Sequence, residues 1–360
     1  MIQHYGWSDA LQHDFEPHAA QGLVPGRVVV QQRGLYRLAT PVGELDAELS
    51  GRFVHEAGVG AYPAAGDWVA CAPREAEHAA TIHHRLARSS VFLRRAAGPK
   101  LEAQVVAANV ETAFLVASLN ADLSLRRLER YLAVAWDSGA RPVIVLTKAD
   151  LCPDPAGLIA QVETIAAGAP VIAVSALTGD GLDDVRAHLP PGETAVLLGS
   201  SGVGKSTLVN ALAGDERMAT RDIREDDARG RHTTTHRELV LLPGGGLLLD
   251  TPGMRELGLW DAEAGVEAIF ADVQQQIAAL AADCHFRNCS HEGERGCAVQ
   301  AARARGEVPE DRWRSWQKLQ RELAHLDRKE DPVARAEYRR VWTQRAKAGK
   351  ARARGLRWED

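Results

Sequence analysis

The chain lacks any apolar run approaching the roughly 18–20 residues that cross a bilayer, so no membrane-spanning helix is expected. The first twenty residues carry acids and histidines rather than a basic stretch followed by an apolar one, the order of a secretory signal. The expected compartment is therefore the cytoplasm. Cysteine is scarce: five in 360 residues, three of them between Cys284 and Cys297, which argues against a disulfide framework and for metal. The isolated Cys71 and Cys152 read as small buried or half-buried residues. No internal repeat is visible. Neither sign of charge dominates, with 43 Lys and Arg against 48 Asp and Glu, so total charge alone points to no nucleic-acid partner. The distribution says more. From Arg335 to Arg357 there are nine basic residues and one acidic one, Glu337, a block suited either to an anionic partner met by one end or to a solvated tail.

What is present begins with Gly199-Ser200-Ser201-Gly202-Val203-Gly204-Lys205-Ser206-Thr207. This is a phosphate-binding loop between a strand-like run, Ala195 to Leu198, and a helix-like run, Lys205 to Ala213. Its glycines let backbone N–H groups close on a β-phosphate; Lys205 would reach the β- and γ-oxygens, and Ser206 would hold Mg²⁺. Three further strand ends carry chemistry. Val143 to Leu146 leads into Thr147-Lys148-Ala149-Asp150; Val171 to Val174 leads into Ser175-Ala176-Leu177; Leu247 to Leu249 leads into Asp250-Thr251-Pro252-Gly253. Asp150 can accept from both N1–H and the exocyclic amine of guanine, donors that adenine does not offer there. The Lys148 stem can cover the purine face, and the Ala176 N–H can donate to O6. Asp250 would meet Mg²⁺ through water and the Gly253 N–H would meet the γ-phosphate.

The order of these segments is unusual. Guanine-reading residues precede the phosphate loop, which precedes Arg231-His232-Thr233-Thr234-Thr235-His236 and then Asp250–Gly253. This is a circular permutation of the usual arrangement, tolerable where the original termini lie close together. The charged segment Asp215 to His236 reads as a switch loop in which Thr234 or Thr235 coordinates Mg²⁺. Many GTPases place a water-orienting Gln after the D-x-x-G glycine, but Met254 stands here. Hydrolysis is then slow alone or assisted, with His232 favoured for that role over His236 or a group from a partner.

Around this domain lie two others. Val24–Gln31, Leu35–Thr40, Glu44–Ser50, Asp67–Ala72 and Thr81–Leu86 read as five short strands of a small OB-like barrel. Its aromatics are few (Tyr36, Phe53, Tyr62 and Trp68), and period-2 patterning assigns Trp68 to the core. Strands at Thr112–Ala117, Pro142–Thr147, Val171–Val174, Ala195–Gly199, Glu238–Leu242 and Leu247–Asp250, with helices at Leu125–Ser138 and Leu158–Ala167, read as a doubly wound, mainly parallel sheet. Cys284, Cys289, His291 and Cys297 make a closed Cys₃His set typical of structural zinc, with His285 a rival ligand that its place beside Cys284 disfavours. Trp313, Trp316, Leu319, Leu323 and Leu326 recur at helical spacing, a core-facing stripe.

Taken together, Gly66-Asp-Trp-Val69, Ala107-Ala-Asn-Val110, Glu129-Arg-Tyr-Leu132 and the segments above resemble the circularly permuted GTPases of small ribosomal subunit biogenesis, the RsgA or YjeQ type, over roughly residues 22–330. The resemblance implies a multidomain α/β protein. An N-terminal extension (1–21) would precede an OB-fold-like RNA-binding barrel (22–95), a permuted G domain (96–258), a zinc-binding helical domain (259–330) and a basic tail (331–360). It also implies a protein that binds the subunit and its rRNA and hydrolyses GTP to GDP and phosphate with subunit-stimulated turnover; a monomer is the default expectation. The alternatives are a GTPase switch acting on a protein partner without rRNA contact and a small-molecule kinase. One departure stands out: the family's base motif usually begins with Asn, where this chain has Thr147, an expected loosening of the site.

Overall fold

The computed structural model describes residues 1–32, 34–57, 61–95, 103–120, 122–214, 237–250 and 262–330. Helix α1 (Asp9–Ala19) precedes strands β1 (Val24–Gln32), β2 (Leu35–Thr40) and β3 (Gly43–Leu49), a short α2 (Gly51–Glu56), and strands β4 (Trp68–Arg74) and β5 (Ala79–Arg85). The order β1-β2-β3-β5-β4, with β4 pairing back onto β1 (Val24 opposite Cys71, Arg27 opposite Trp68), closes a five-stranded barrel. Alternation explains its interior: Leu45 and Ala47 of β3 are buried, while Glu44, Asp46 and Glu48 between and beside them are exposed. Val28, Leu38, Val69, Cys71 and Ile82 join them inside. Helix α1 was not expected from the sequence, whose acids and histidines mask a single anchoring residue, Phe15. It is capped by Ser8 and plugs Phe15 against Trp7, which stands edge-on to the buried Trp68 at 4.9 Å.

Strands β6 (Val91–Arg95) and β7 (Ala103–Ala108) form a separate two-stranded sheet, so the expected boundary at 95/96 falls within this pair. There follow β8 (Thr112–Ser118), α3 (Leu125–Ser138), β9 (Arg141–Thr147), α4 (Pro155–Glu163), β10 (Val171–Ala173) and α5 (Leu182–Ala187). Then come β11 (Thr194–Leu198), α6 (Lys205–Ala213), β12 (Arg237–Leu241) and β13 (Leu247–Asp250). The sheet order is β10-β9-β8-β11-β13-β12, parallel except for β12. Its strands are apolar on both faces, and the period of two sorts them. Phe114, Val116, Val143 and Val145 pack with Leu208 and Leu212 of α6, while Leu115, Ile144, Leu146 and Leu198 pack with Leu128 and Leu132 of α3. The permutation is visible in space, because β11, which carries the phosphate loop, lies centrally although three sheet strands precede it in the chain.

Strand β12 also pairs with barrel strand β1 through Val30–Glu238 and Gln31–Arg237, so the two sheets are continuous. Family strings quoted above find their reason along this seam. A Cβ on Gly66 would lie 2.2 Å from the Ala108 carbonyl oxygen. Asp67 accepts from the Ala64 N–H at 2.7 Å and pairs with Arg88 at 2.6 Å. Asn109 takes the Ser89 N–H at 2.9 Å and donates to the Gly66 carbonyl at 3.0 Å. Arg27, only 2% exposed, donates to the Asn109 carbonyl and the Thr194 hydroxyl, each at 3.0 Å, under the face of Trp68. Burial pulls its guanidinium down to about 10, with Glu111 and Asp67 holding it charged against that pull.

The C-terminal unit comprises α7 (Glu263–Ile269), α8 (Ala271–Ala281), a cysteine-bearing loop, α9 (Ala298–Ala304) and α10 (Glu310–Glu330). Helix α7 lies against α3 so closely that a Cβ on Gly265 would sit 1.9 Å from the Ala133 carbonyl oxygen. Trp313, Leu319 and Leu323 of α10 are buried, as the stripe predicts, with Trp316 half-buried beside them; the Leu326 side chain lies outside the described residues. Helix α4 starts three residues earlier than expected, because Asp154 caps the Gly157 N–H and Pro155 occupies the first turn. Among the described residues no helix is long and apolar enough to cross a membrane.

Candidate functional site

The parallel strands β9, β11 and β13 end on one edge of the sheet, which brings Thr147, Gly199 and Asp250 to a common rim. From β11 the chain turns sharply: a Cβ on Gly199 would meet the Val116 carbonyl oxygen at 2.4 Å. Gly204 then adopts φ +91°, a left-handed conformation that sets the N-terminus of α6 behind the loop. Helix α6 starts at Lys205, so the first-turn N–H groups and the positive end of the helix dipole are offered at Lys205, Ser206 and Thr207. Lys205 Nζ lies 2.6 Å from the Gly199 carbonyl oxygen and 2.5 Å from that of Ser200, folding the ammonium over the loop. Ser206 is half-buried, and Ser201 and Gly202 are exposed.

The segment Thr147–Asp150 after β9 is bound to this loop. The Thr147 hydroxyl donates to the Val203 carbonyl at 2.6 Å and lies 3.2 Å from that of Ala117. The Thr147 side chain thus bonds the Gly199–Thr207 loop directly. Lys148, with φ +60°, aims its ammonium at the Gly202 carbonyl at 3.0 Å. Ala149 donates to the Val174 carbonyl at 3.1 Å, joining this segment to the one after β10. There, Ser175 is buried, its N–H donates to the Asp180 carbonyl at 3.0 Å and its hydroxyl accepts from Thr178 at 3.2 Å. This turn leaves Ala176 half-buried and Leu177 85% exposed. Asp150 and its neighbour Leu151 are also exposed. Of the expected nucleotide-site residues, Thr147 to Asp150, Ser175, Ala176 and Gly199 to Thr207 are brought together. The Asp250 backbone ends β13 opposite Glu238. His232, Thr234, Thr235, His236, Gly253 and Met254 lie outside the described residues.

Two contributors were not foreseen. Arg127, in the first turn of α3, donates to the Ser200 hydroxyl at 2.7 Å and pairs with Asp122 at 3.3 Å. Glu129, nearly fully buried, receives Arg312 of α10 at 2.8 Å and the Ser315 hydroxyl. A helix with two arginines and no acid in its first turn runs against its own dipole, and that was the legible signal.

In the C-terminal unit Cys284, Cys289, His291 and Cys297 place their ligand atoms within 4.8 Å of one another. Cys284 Sγ lies 4.0 Å from Cys297 Sγ and 3.7 Å from His291 Nδ1, which is 3.4 Å from Cys297 Sγ. A tetrahedral zinc with Zn–S of about 2.3 Å sets sulfurs about 3.8 Å apart and sulfur to nitrogen about 3.6 Å, so the donor set fits the ion. Burial alone would raise the Cys284 thiol, but the Ala298 and Val299 N–H groups and the neighbouring thiols bring it below its ordinary value, while burial and the same neighbouring thiols push Cys289 up to about 11. Glu294 organises the loop by accepting from the backbone N–H groups of Ser290 and Glu292, each at 3.0 Å. His285 is not among the four; its ring stands edge-on to Phe286 at 4.7 Å.

A family model described as RsgA GTPase matches residues 85–260. A protein from Streptomyces coelicolor named small ribosomal subunit biogenesis GTPase RsgA is 48% identical, over 97% of this chain and 94% of its own length. The chain belongs to the RsgA GTPase family. A relative of the same name from Opitutus terrae is 46% identical, covering 98% of both chains. Among solved structures, YjeQ from Thermotoga maritima matches with a TM-score of 0.58 at 26% identity, over 82% of this chain and 97% of that one. YloQ, described as a circularly permuted GTPase, matches with a TM-score of 0.57 at 23% identity over 86% of this chain and 96% of its own, a likeness of fold.

Proposed function

We propose that this protein is a GTPase of small ribosomal subunit biogenesis that hydrolyses GTP to GDP and phosphate and is stimulated by the subunit it binds. The observation that carries the nucleotide half is the pair of contacts from Thr147 and Lys148 to the Val203 and Gly202 carbonyls, which make the base-reading segment and the phosphate loop one site. The ribosomal half rests on family membership and on the full-length relatives' names.

In this reading, Gly199 to Thr207 cradle the β-phosphate with backbone N–H groups, and Lys205 exchanges loop carbonyls for phosphate oxygens. Mg²⁺ fits the site through the Ser206 hydroxyl at the helix N-terminus and, when bound, neutralises charge developing on the phosphates. Thr234 or Thr235, Asp250 and Gly253 complete the sensing of the γ-phosphate. Asp150 selects guanine: an adenine would leave its carboxylate unpaired at a cost of about 1–3 kcal/mol, roughly a 5- to 150-fold preference for GTP. His232 positions the attacking water once the partner is bound, a role Met254 cannot take. Zinc held by Cys284, Cys289, His291 and Cys297 is structural, since four protein ligands close the coordination sphere. The barrel (22–95) and the basic tail (331–360) contact rRNA phosphates, and the protein works as a cytoplasmic monomer.

Turnover of GTP by the purified protein, with and without small ribosomal subunits and with ATP as the control nucleotide, tests the reading. Slow, GTP-only turnover that subunits raise strongly supports it. Turnover indifferent to subunits would remove the ribosomal half and leave a GTPase with another partner.

A further inference from the structure

Arg127 belongs to no motif by which the family was recognised, yet it reaches the phosphate loop. It stands in the first turn of α3, where a cation opposes the helix dipole, and its neighbour Arg126 is also basic. Each has a compensating anion outside the helix. Arg126 faces Asp311 at 3.9 Å, and Arg127 faces Asp122 at 3.3 Å. Asp122 is itself placed by Asn120, whose side-chain oxygen accepts the Asp122 N–H at 3.1 Å and the Ser118 hydroxyl at 2.9 Å at the end of β8. The guanidinium that remains donates to the Ser200 hydroxyl at 2.7 Å, a charge-assisted bond. Ser200 is the second residue of the loop, and its carbonyl accepts from Lys205 at 2.5 Å. One residue of the loop is therefore held by the phosphate-binding lysine on one side and by α3 on the other.

Helix α3 is itself anchored away from the sheet. Glu129 receives Arg312 and Ser315, and Arg130 meets Glu322 at 2.5 Å, both contacts running to α10 of the metal-bearing unit. The arginine is thus presented by a helix that cannot shift without breaking buried polar bonds.

We propose that Arg127 is a positioning residue for the phosphate loop, acting through the Ser200 hydroxyl to hold the loop in the form that binds guanine nucleotide. This rests on the GTPase reading above. Arg127 need not touch the nucleotide. It reduces the freedom of a loop whose N–H groups must converge on one phosphate, so its loss falls on affinity and KM more than on kcat.

The test is GTP and GDP binding by the full-length, zinc-loaded protein, with steady-state GTP hydrolysis alongside. Arg127→Ala is expected to raise both dissociation constants about tenfold, in line with a partly exposed charge-assisted bond. Arg127→Lys is expected to recover most of that loss. Ser200→Ala is expected to cost about as much, and the double variant no more than either alone, since both remove one interaction. Unchanged affinity in Arg127→Ala, or losses that multiply in the double variant, would overturn the inference while leaving the GTPase reading intact. A wild-type protein that binds no guanine nucleotide would overturn both.

Discussion

Arg312→Met is the sharpest perturbation the fold offers. The Glu129 side chain is 2% exposed and that of Arg312 14%, so the pair is withdrawn from water and weakly screened. Arg312 also donates to the Ile269 carbonyl and to Asp272, each at 2.9 Å, and lies over the Phe270 ring at 4.5 Å. Methionine keeps most of the stem and its packing but strips the charge. Glu129 would then be a buried carboxylate held by Ser315 alone, and Ile269 would lose a donor. Breaking a buried pair from one side costs about 3–5 kcal/mol, which lowers hydrogen-exchange protection of α10 amides by roughly 150-fold or more where exchange follows local opening. Local exchange is the right assay because a multidomain chain need not unfold in one step. Glu129→Gln in the Arg312→Met background removes the stranded charge and should restore about 2 kcal/mol of the loss. If Arg312→Met lowers α10 protection less than about threefold, or if adding Glu129→Gln only deepens the loss, the pair is not what fastens the metal-bearing unit to α3.

Three further outcomes are expected. Thr147→Val strands the Val203 carbonyl beside the phosphate loop and should cost about 1–3 kcal/mol of GTP affinity, roughly 5- to 150-fold in the dissociation constant; Thr147→Ser, which keeps the hydroxyl, should stay within about threefold by equilibrium titration. Stripping zinc with a chelator should release one metal per chain and abolish protection in α9 and α10 while sparing β1–β5, because structural zinc contributes of order 10 kcal/mol to such small units; intact α9 exchange in metal-free protein would refute this. His84 stacks on His18 at 4.8 Å, and burial first, then the nearby His18 and His83, lowers its pKa. A folded-state value below the unfolded one of about 6.5 means the stability it contributes is full above that pH and is lost as pH falls through the folded value. Melting of the barrel should therefore drop between neutral and mildly acidic pH, and His84→Gln should flatten the profile.

The sheet strands were legible because each is a short apolar or alternating run bounded by turn residues; β2 and β13 fall where the pattern places them. The Gly199–Thr207 loop and the clustering of Cys284, Cys289, His291 and Cys297 were legible for a different reason: each is local, with every donor supplied by one short segment. Helix α1 was not, since one buried Phe15 carries its docking and Pro17 within it argues against a helix. Strands β6 and β7 were missed because they pair only with each other, at the edge of the seam. The Thr147 contact was not legible either. A hydroxyl 2.6 Å from a carbonyl braces the loop, and a linear pattern cannot measure that.

By itself, then, the order of residues determined that the chain is a GTPase, that three cysteines and a histidine could share a metal ion and that its G domain is permuted, because those properties follow from motifs and donors within a few residues of one another. Only the tertiary structure decided how the parts are joined. Arg27 to Thr194, Arg127 to Ser200 and Arg312 to Glu129 span 167, 73 and 183 residues. Each is an ordinary arginine in the sequence and becomes a fastening only where the fold brings its partner within reach; for Arg27 and Arg312 packing has also removed most of the water that would otherwise satisfy them.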